Sequence, residues 1–231
     1  MKRVLRQEKK YLLTYDSFSK NNFYFKKILH EDEHNDSCGY TIRSLYFDTL
    51  NDDDFYNKVD GLELRRKIRL RIYSTNDDFA YLELKQKQGN YQEKRSLKIS
   101  KDDAISLINK KYEVLLKYPD SFAKEMYGIM STYYYVPKTI NQYKRVAYVV
   151  KENSIRLTFD KDIRATETSF DLFNPNLLLN PVFNQNLVVF EVKYNGFLLS
   201  YVKDIIKNVD LIQTPISKYC LGRTNTIKYV Y

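Results

Sequence analysis

Two neighbouring segments of the chain place Lys or Arg at every second position. Lys67, Arg69 and Arg71 alternate with apolar residues in the first segment, and Lys85 and Lys87 do so in the second. Successive side chains of a β-strand point to opposite faces, so each segment would present one row of positive charge and one apolar row. Basic side chains at this spacing suit a chain of phosphate groups, because Arg forms bidentate hydrogen bonds with phosphate oxygens and Lys supplies point charge.

The same alternation recurs along the chain. One face of the expected strands carries eleven basic side chains: Arg6, Lys10, Lys67, Arg69, Arg71, Lys85, Lys87, Lys94, Arg145, Arg156 and Lys193. Four acidic side chains share that face: Glu8, Glu83, Asp160 and Glu191. The difference supplies most of the chain's formal net charge of +9. Like charges repel strongly in a partly desolvated cavity, so the pattern predicts a multiply charged anion such as a triphosphate or polyphosphate.

The opposite faces of these segments are apolar. They contain Ile68, Leu70, Ile72, Leu82, Leu84, Ile155, Leu157, Phe159, Val188, Phe190 and Val192. If these residues pack against helices, the basic face lines the inside of a curled sheet. An ordinary half-exposed antiparallel sheet with a solvated basic face is the alternative explanation for any single strand. Repetition over seven strands favours the enclosed anion site.

Eight segments have the alternation and flanking turns of strands. They are residues 4–13, 40–47, 62–73, 79–87, 92–99, 140–151, 154–165 and 187–194. Helical spacing is expected at 16–30, at 51–59, after Gly196, and in an insertion over about 100–131. Eight antiparallel strands suffice to close a barrel that holds a small ligand. We therefore predict one α+β domain over residues 1–231, a closed eight-stranded antiparallel β-barrel with helices packed outside.

Composition is consistent with a globular protein that acts on anions. The chain has 231 residues, 43% of them hydrophobic, and 38 Lys and Arg against 29 Asp and Glu. The two cysteines, Cys38 and Cys220, are far apart in sequence, which disfavours a disulfide scaffold and fits a reducing compartment. No signal peptide or membrane span is expected, so the prediction is cytoplasmic. Any membrane association would need a partner protein or surface charge.

Two further clusters, one of histidines and acidic residues and one of tyrosines, are weaker candidates for functional sites. His30 and His34 flank three acidic residues and resemble a metal site, but a solvated acidic loop is favoured because loop spacing alone does not set ligand geometry. Tyr133, Tyr134 and Tyr135 are more typical of a partly buried aromatic cluster than of a surface for stacking bases. Nucleic acid is a disfavoured partner, since among the residues expected to face the anion only Tyr143 is aromatic.

Nine short motifs, in order along almost the whole chain, resemble those of a known family. They are RQEKKY at 6–11, SLYFDT at 44–49, KIRLR at 67–71, LELK at 82–85, EKR at 93–95, YKR at 143–145, IRLTFD at 155–160, FEVK at 190–193 and SKY at 217–219. The series is similar to the VTC domain, the polyphosphate polymerase domain of the vacuolar transporter chaperone complex. That domain belongs to the triphosphate tunnel metalloenzymes, a CYTH-like superfamily.

The resemblance implies a fold, an activity and a site. The fold would be an eight-stranded antiparallel tunnel, and the activity would be transfer of the γ-phosphoryl group of ATP to growing polyphosphate, with polyphosphate or pyrophosphate as the acceptor. The implied catalytic residues are Lys10, Arg69, Arg71, Lys85, Arg145 and Arg156. The implied substrate-binding residues are Arg6, Lys94, Tyr143, Lys193, Ser217 and Lys218. Glu191, and less readily Glu8, would bind Mn²⁺ or Mg²⁺, which are ions that prefer oxygen ligands.

One departure from the superfamily bears on the reaction. Hydrolytic tunnel enzymes begin with the motif ExExK, whereas this chain has Arg6, Glu8 and Lys10 at those positions. Fewer carboxylates give weaker support for a second metal or an activated water, so the resemblance favours transfer over hydrolysis. The alternatives are a tripolyphosphatase or nucleoside triphosphatase in the same tunnel, and a non-catalytic module that binds polyphosphate or nucleotide.

Overall fold

The computed structural model describes residues 6–89, 91–207, 209 and 212–227; for residues 6, 91, 212 and 224–226 the description covers the backbone alone. Within those ranges the chain forms eleven strands. They are β1 (Arg6–Thr14), β2 (His30–Glu31), β3 (Tyr40–Asp48), β4 (Leu64–Ile72), β5 (Phe79–Gln88), β6 (Tyr91–Ser100), β7 (Val136–Val150), β8 (Ile155–Thr166), β9 (Asn180–Pro181), β10 (Leu187–Asn195) and β11 (Ile212–Gln213). The eight long strands correspond to the eight segments expected from the sequence.

Six α-helices accompany the strands in the described ranges. They are α1 (Tyr15–Ile28), α2 (Asp53–Val59), α3 (Lys101–Ile108), α4 (Ser121–Thr132), α5 (Ser200–Lys207) and α6 (Lys218–Ile227). The predicted insertion is α3, a 3-10 helix at Tyr112–Lys117 and α4. Ser100 begins it as expected, because its hydroxyl accepts a hydrogen bond from the backbone N–H of Asp103 and caps α3. Helix α6 was not expected from the sequence.

The strands form one large antiparallel sheet. Their order is β11-β1-β10-β8-β7-β3-β4-β5-β6, with β2 pairing with β7 and β9 pairing with β8. The ladder therefore runs from β11 to β6 without closing. A closed barrel is not confirmed, because in the part of the chain that the structure describes no backbone pairing joins β6 to β1 or to β11. Side chains nevertheless meet across this seam, where Lys85 of β5 donates to Glu8 of β1 at 2.9 Å.

Helices cover the outer, apolar face of the sheet, as the sequence predicted. Ile68, Leu70 and Leu82 of β4 and β5 form one buried cluster with α3 and α4. On the other side of the molecule, Phe159 and Phe190 of β8 and β10 form a second cluster with α1 and α5. Burying these side chains removes apolar surface from water and leaves the charged face of every strand on the concave side.

No helix within the described ranges has both the length and the apolar character that a membrane span requires.

Candidate functional site

The concave face of the sheet surrounds a cavity of about 1450 Å³. Among the described residues, eleven basic side chains line it: Lys10, Lys67, Arg69, Arg71, Lys85, Lys87, Lys94, Arg145, Arg156, Lys193 and Lys218. Four acidic side chains line it as well: Glu8, Glu63, Glu93 and Glu191. The excess of positive charge is concentrated in one enclosed space, which raises the local concentration of anions.

One buried carboxylate holds bases of β4 and β6 in place. Glu83 of β5 is 3% exposed and accepts a hydrogen bond from Arg69 Nε at 2.7 Å. The same carboxylate lies 3.7 Å from Arg71 and 2.5 Å from Lys94. Burial alone would raise the pKa of Glu83, but Arg69, Arg71 and Lys94 outweigh it and hold the pKa well below its usual value. Glu83 therefore stays ionised and orients three cations toward the cavity.

A second group forms where β1 and β10 pair. Lys10 Nζ lies 3.2 Å from Glu8 and 3.8 Å from Glu191. Lys193 Nζ lies 3.0 Å from Glu191 and 4.0 Å from Glu8. The two lysines thus bridge the two carboxylates, and Lys85 from across the seam also contacts Glu8. The group therefore contains Glu8 and Lys10 of β1, Lys85 of β5, and Glu191 and Lys193 of β10, all of which are predicted site residues.

Arg145 and Lys218 share a third carboxylate. Asp160 of β8 is fully buried and accepts hydrogen bonds from Arg145 Nε at 2.6 Å and Nη2 at 2.7 Å. Lys218 Nζ lies 2.6 Å from the same carboxylate. Both cations also lie over the ring of Tyr143, at 5.4 Å for Arg145 and 4.6 Å for Lys218. Tyr143 therefore contacts the cationic groups directly and stabilises them through cation–π interactions.

The loop that follows α1 completes the wall beside Arg156. Arg156 Nη2 lies 2.8 Å from Asp32 and donates to the hydroxyl of Tyr40 at 2.8 Å. Asp32 also contacts His34 Nδ1 at 2.9 Å. His30 and His34 do not form a metal site: no cluster of three or more His, Cys, Asp or Glu suited to a metal occurs among the described residues. The loop instead positions Arg156.

Ser217 and Lys67 meet at the other end of the cavity. Lys67 Nζ donates to Ser217 Oγ at 2.6 Å, and the backbone N–H of Cys220 donates to the same oxygen at 3.4 Å. Ser217 therefore precedes α6 in the position of an N-cap. Burial lowers the pKa of Lys67 to about 7. The sequence placed Lys67 on the charged face but did not include it among the site residues.

Helix α6 is held inside the sheet by polar contacts. Asn141 of β7 donates to the carbonyl of Lys218, and Thr139 donates to the carbonyl of Gly222 at 3.3 Å. Tyr219 donates to Asp48, a fully buried residue at the end of β3, at 2.5 Å. These contacts determine where Ser217 and Lys218 lie relative to the strands. The element that carries the SKY motif is thus a helix whose N-terminus faces the cavity.

The structure brings the predicted site residues together at this one cavity. Those that line it are Lys10, Arg69, Arg71, Lys85, Arg145, Arg156, Lys94, Tyr143, Lys193, Ser217, Lys218, Glu191 and Glu8. The side chain of Arg6 lies outside the described residues. Sequence reasoning missed Tyr40, Tyr46 and Tyr73, which also line the cavity. Tyr73 continues the alternation of Lys67, Arg69 and Arg71, and that spacing was the available signal.

Glu191 and Glu8 are chemically suited to a divalent cation. Burial alone would raise the pKa of both carboxylates, and their mutual repulsion adds to this for Glu8, but Lys193 and Lys10 outweigh these effects and lower both pKa values. Both groups are therefore ionised and supply hard oxygen ligands. Glu191 and Glu8 would supply two carboxylate ligands, so a bound Mg²⁺ or Mn²⁺ would complete its coordination with water and phosphate oxygens, as Mg²⁺ commonly does.

Solved structures and a family model match this chain. A protein from Bacillus halodurans, described as a candidate adenylate cyclase, is 13% identical and shares the fold with a TM-score of 0.54 over 93% of each chain. A protein from Pyrococcus horikoshii OT3 matches at 10% identity and a TM-score of 0.48, covering 94% of this chain and 97% of that one. No curated protein sequence matches. A family model described as the VTC domain matches residues 5–227. The chain therefore belongs to the VTC domain family.

Proposed function

We propose that the protein is a polyphosphate polymerase that transfers the γ-phosphoryl group of ATP to the end of a polyphosphate chain. The reaction would break the bond between the γ-phosphorus and the bridging oxygen, release ADP, and form a new phosphoanhydride bond to the chain. Membership of the VTC domain family supports an enzyme that acts on nucleoside triphosphates. The observation that carries the proposal is the cavity wall of eleven basic side chains.

The site residues suit phosphoryl transfer because that reaction depends on positioning and on stabilising charge. Arg69 and Arg71 are oriented by Glu83, and Arg145 is oriented by Asp160, so their guanidinium groups are in place before the substrate arrives. Preorganised donors of this kind need little rearrangement when charge develops in the transition state. The acceptor oxygen of a polyphosphate chain is already ionised, so no strong general base is required.

A divalent ion, Mn²⁺ or Mg²⁺, belongs to the proposal. When bound, it would neutralise phosphate oxygens next to Glu191, with Glu8 beside it. Lys10 and Lys193 contact both carboxylates, so they would move toward phosphate oxygens as the ion took their place. The small number of carboxylates favours transfer to a phosphate chain over activation of water.

We also propose that the eight long strands close into a tunnel around a bound chain of phosphates. The ion pair between Lys85 and Glu8 and the hydrogen bond from Gln92 to Glu8, at 3.4 Å, already join the two sides of the seam. A polyanion that contacts Lys10 of β1 and Lys94 of β6 at once would draw the two edges together. Closure would exclude water, which strengthens the electrostatic interactions inside.

The purified protein incubated with ATP and Mn²⁺, with and without pyrophosphate as a primer, tests the polymerase directly. We expect ADP release and long phosphate chains on a gel, with faster onset when the primer is present. Glu191→Gln should lower the metal-dependent rate by about 100-fold. Losing a residue that only supports a metal ligand already costs about 10–100-fold in activity, and Glu191 would be a ligand itself. Glu152→Gln, an exposed change in the turn between β7 and β8, is the matched control.

Release of orthophosphate without chain growth would show hydrolysis and contradict the polymerase. Unchanged turnover in Glu191→Gln would remove Glu191 from the metal site. Binding of ATP without any turnover would leave a non-catalytic module.

A further inference from the structure

Aromatic side chains cluster at one end of the cavity, where β3 begins and β4 ends. We call His34, Tyr40 and Tyr73 the aromatic end. The ring centroids of His34 and Tyr73 are 6.3 Å apart with an interplanar angle of 27°, and those of Tyr40 and Tyr73 are 6.2 Å apart. Tyr40 and Tyr73 both line the cavity. The rings therefore form a platform that continues the charged wall.

The platform is open to a ligand. Tyr73 is 40% exposed, whereas Tyr46 and Tyr143, which also line the cavity, are only 4% and 3% exposed. Tyr46 is stacked on Tyr219, and Tyr143 lies under two cations, and both are buried. Tyr73 stays exposed although His34 stacks on it and Tyr81 contacts it in a T-shaped arrangement. Of the described tyrosines that line the cavity, Tyr73 thus presents the largest accessible ring.

The aromatic end is held beside the phosphate-binding side chains. Asp32 contacts both His34 and Arg156, and Arg156 donates to the hydroxyl of Tyr40. Polar contacts therefore join His34, Tyr40 and Arg156 through Asp32, and Tyr73 packs against the two rings. A ligand that contacts Arg156 would lie next to the rings.

Lys67, Arg69, Arg71 and Tyr73 lie in a row on one face of β4 and the residue that follows it. Alternate residues of a strand are about 6–7 Å apart, so the row spans about 20 Å. Its order, three cations and then a ring, corresponds to the order of groups in a nucleoside triphosphate. At the opposite end the cavity is lined by Glu63, Leu64, Lys87, Gln88 and Gly89, residues without aromatic rings.

We propose that the aromatic end is a nucleobase subsite, with Tyr73 as its stacking platform, so that the nucleoside triphosphate binds with its base there and its γ-phosphate toward Lys67. The subsite distinguishes a nucleotide from a bare phosphate chain. An aromatic ring stacks on any nucleobase, and polyphosphate has no group that stacks. The opposite half of the cavity is then left for the acceptor chain. This inference rests on the proposed function in one respect, that phosphates occupy the cavity.

Binding of two probes to Tyr73→Ala tests the subsite. Isothermal titration calorimetry with ATP and with inorganic tripolyphosphate, both without metal, compares ligands that share three phosphates and differ in the nucleoside. We expect Tyr73→Ala to weaken ATP binding about tenfold, the usual effect of losing one stacking side chain, and to change tripolyphosphate binding less than twofold. Tyr73→Phe should restore ATP binding, because the ring is kept.

Tyr201→Ala removes a comparably exposed tyrosine from α5 and serves as the matched control; it should affect neither probe. Preserved tripolyphosphate binding also shows that Tyr73→Ala is folded. Equal weakening of both probes, unchanged ATP binding, or a wild-type protein that binds tripolyphosphate but not ATP would each overturn the subsite. These measurements need no turnover, so a protein that stacks ATP on Tyr73 but makes no polyphosphate would contradict the proposed function alone.

Discussion

Lys67 differs from Lys10, which also lines the cavity, in the groups that surround its positive charge. Lys10 is buried, which alone would lower its pKa, but Glu191 and Glu8 outweigh burial and raise it. Lys67 Nζ contacts a serine hydroxyl instead, and within the described ranges no carboxylate lies within ion-pair distance of it. Burial therefore lowers its pKa to about 7. Its charge is present below neutral pH and is lost as the pH rises.

This difference predicts a pH dependence of anion binding. Below pH 7 Lys67 is charged and attracts phosphate, and above pH 7 the protein must take up a proton to restore that attraction. Tripolyphosphate affinity, measured by calorimetry from pH 6 to pH 9, should therefore decrease as the pH passes about 7. Lys67→Met should bind tripolyphosphate about tenfold more weakly than the wild type at pH 6, because it loses one hydrogen bond to a charged group. At high pH, where Lys67 is neutral, the two affinities should become similar.

Lys124→Met, an exposed change on α4, should follow the wild-type curve. The ionisation of tripolyphosphate itself is the same in all three proteins and cancels in the comparison. Parallel curves for the wild type and Lys67→Met would contradict the assignment.

At the scale of elements, α6 places Ser217 and Lys218 at the cavity, and its position depends on close packing against β7. Gly222 lies where the side chains of Asn141 and Thr139 approach the helix, and a Cβ atom there would overlap both. Those side chains are buried and hydrogen-bonded to carbonyls of α6, so they have little freedom to move. The helix can approach the sheet this closely because residue 222 has no side chain.

Gly222→Ala should therefore displace α6 and disturb the site. We expect the free energy of unfolding to fall by about 1–3 kcal/mol, the usual cost of overpacking, and tripolyphosphate binding to weaken. Urea denaturation and calorimetry measure the two effects. Gly128→Ala on α4 is the matched control: no atom lies within 4 Å of its Cβ position, so alanine should be neutral or stabilise by about 0.5–1 kcal/mol. Similar results for the two variants would show that α6 tolerates the displacement.

At the scale of the whole molecule, the sheet tolerates a cavity of high positive charge because buried carboxylates of its own strands lie next to the basic side chains and offset their repulsion. Glu83 and Asp160 are almost completely buried and lie among the bases. Among the described residues that line the cavity, basic side chains nevertheless outnumber acidic ones by eleven to four, so the wall remains short of negative charge. A multiply charged anion would supply it and would bind the folded protein only, since the bases are scattered along the unfolded chain.

Tripolyphosphate should therefore raise the melting temperature. At a concentration of about 100 times its Kd, a ligand specific for the folded state adds about 2.7 kcal/mol, which corresponds to about 5–10 °C for a chain of this size. Scanning fluorimetry measures the shift, with sodium chloride at equal ionic strength as the control. The shift should shrink as salt is added, because salt screens the attraction. An unchanged melting temperature would contradict the anion site.

The alternation of the sequence determined the eight long strands, the charged and apolar faces, and the basic residues of the site. Period-two spacing is a local property, and burial of Ile68, Leu70 and Phe159 against helices follows from it. The family resemblance, carried by motifs in order, was confirmed by the match over residues 5–227.

Only the tertiary structure decided which charges meet. Glu83 is paired with Lys94 through strand packing, and Asp160 is paired with Lys218 across 58 positions of sequence. The aromatic end is assembled from a loop, the start of β3 and the end of β4, so no single spacing reveals it. The open seam between β1 and β6 could not be predicted from the sequence either. Alternation specifies the two faces of each strand, but it does not specify whether the last strand hydrogen-bonds to the first.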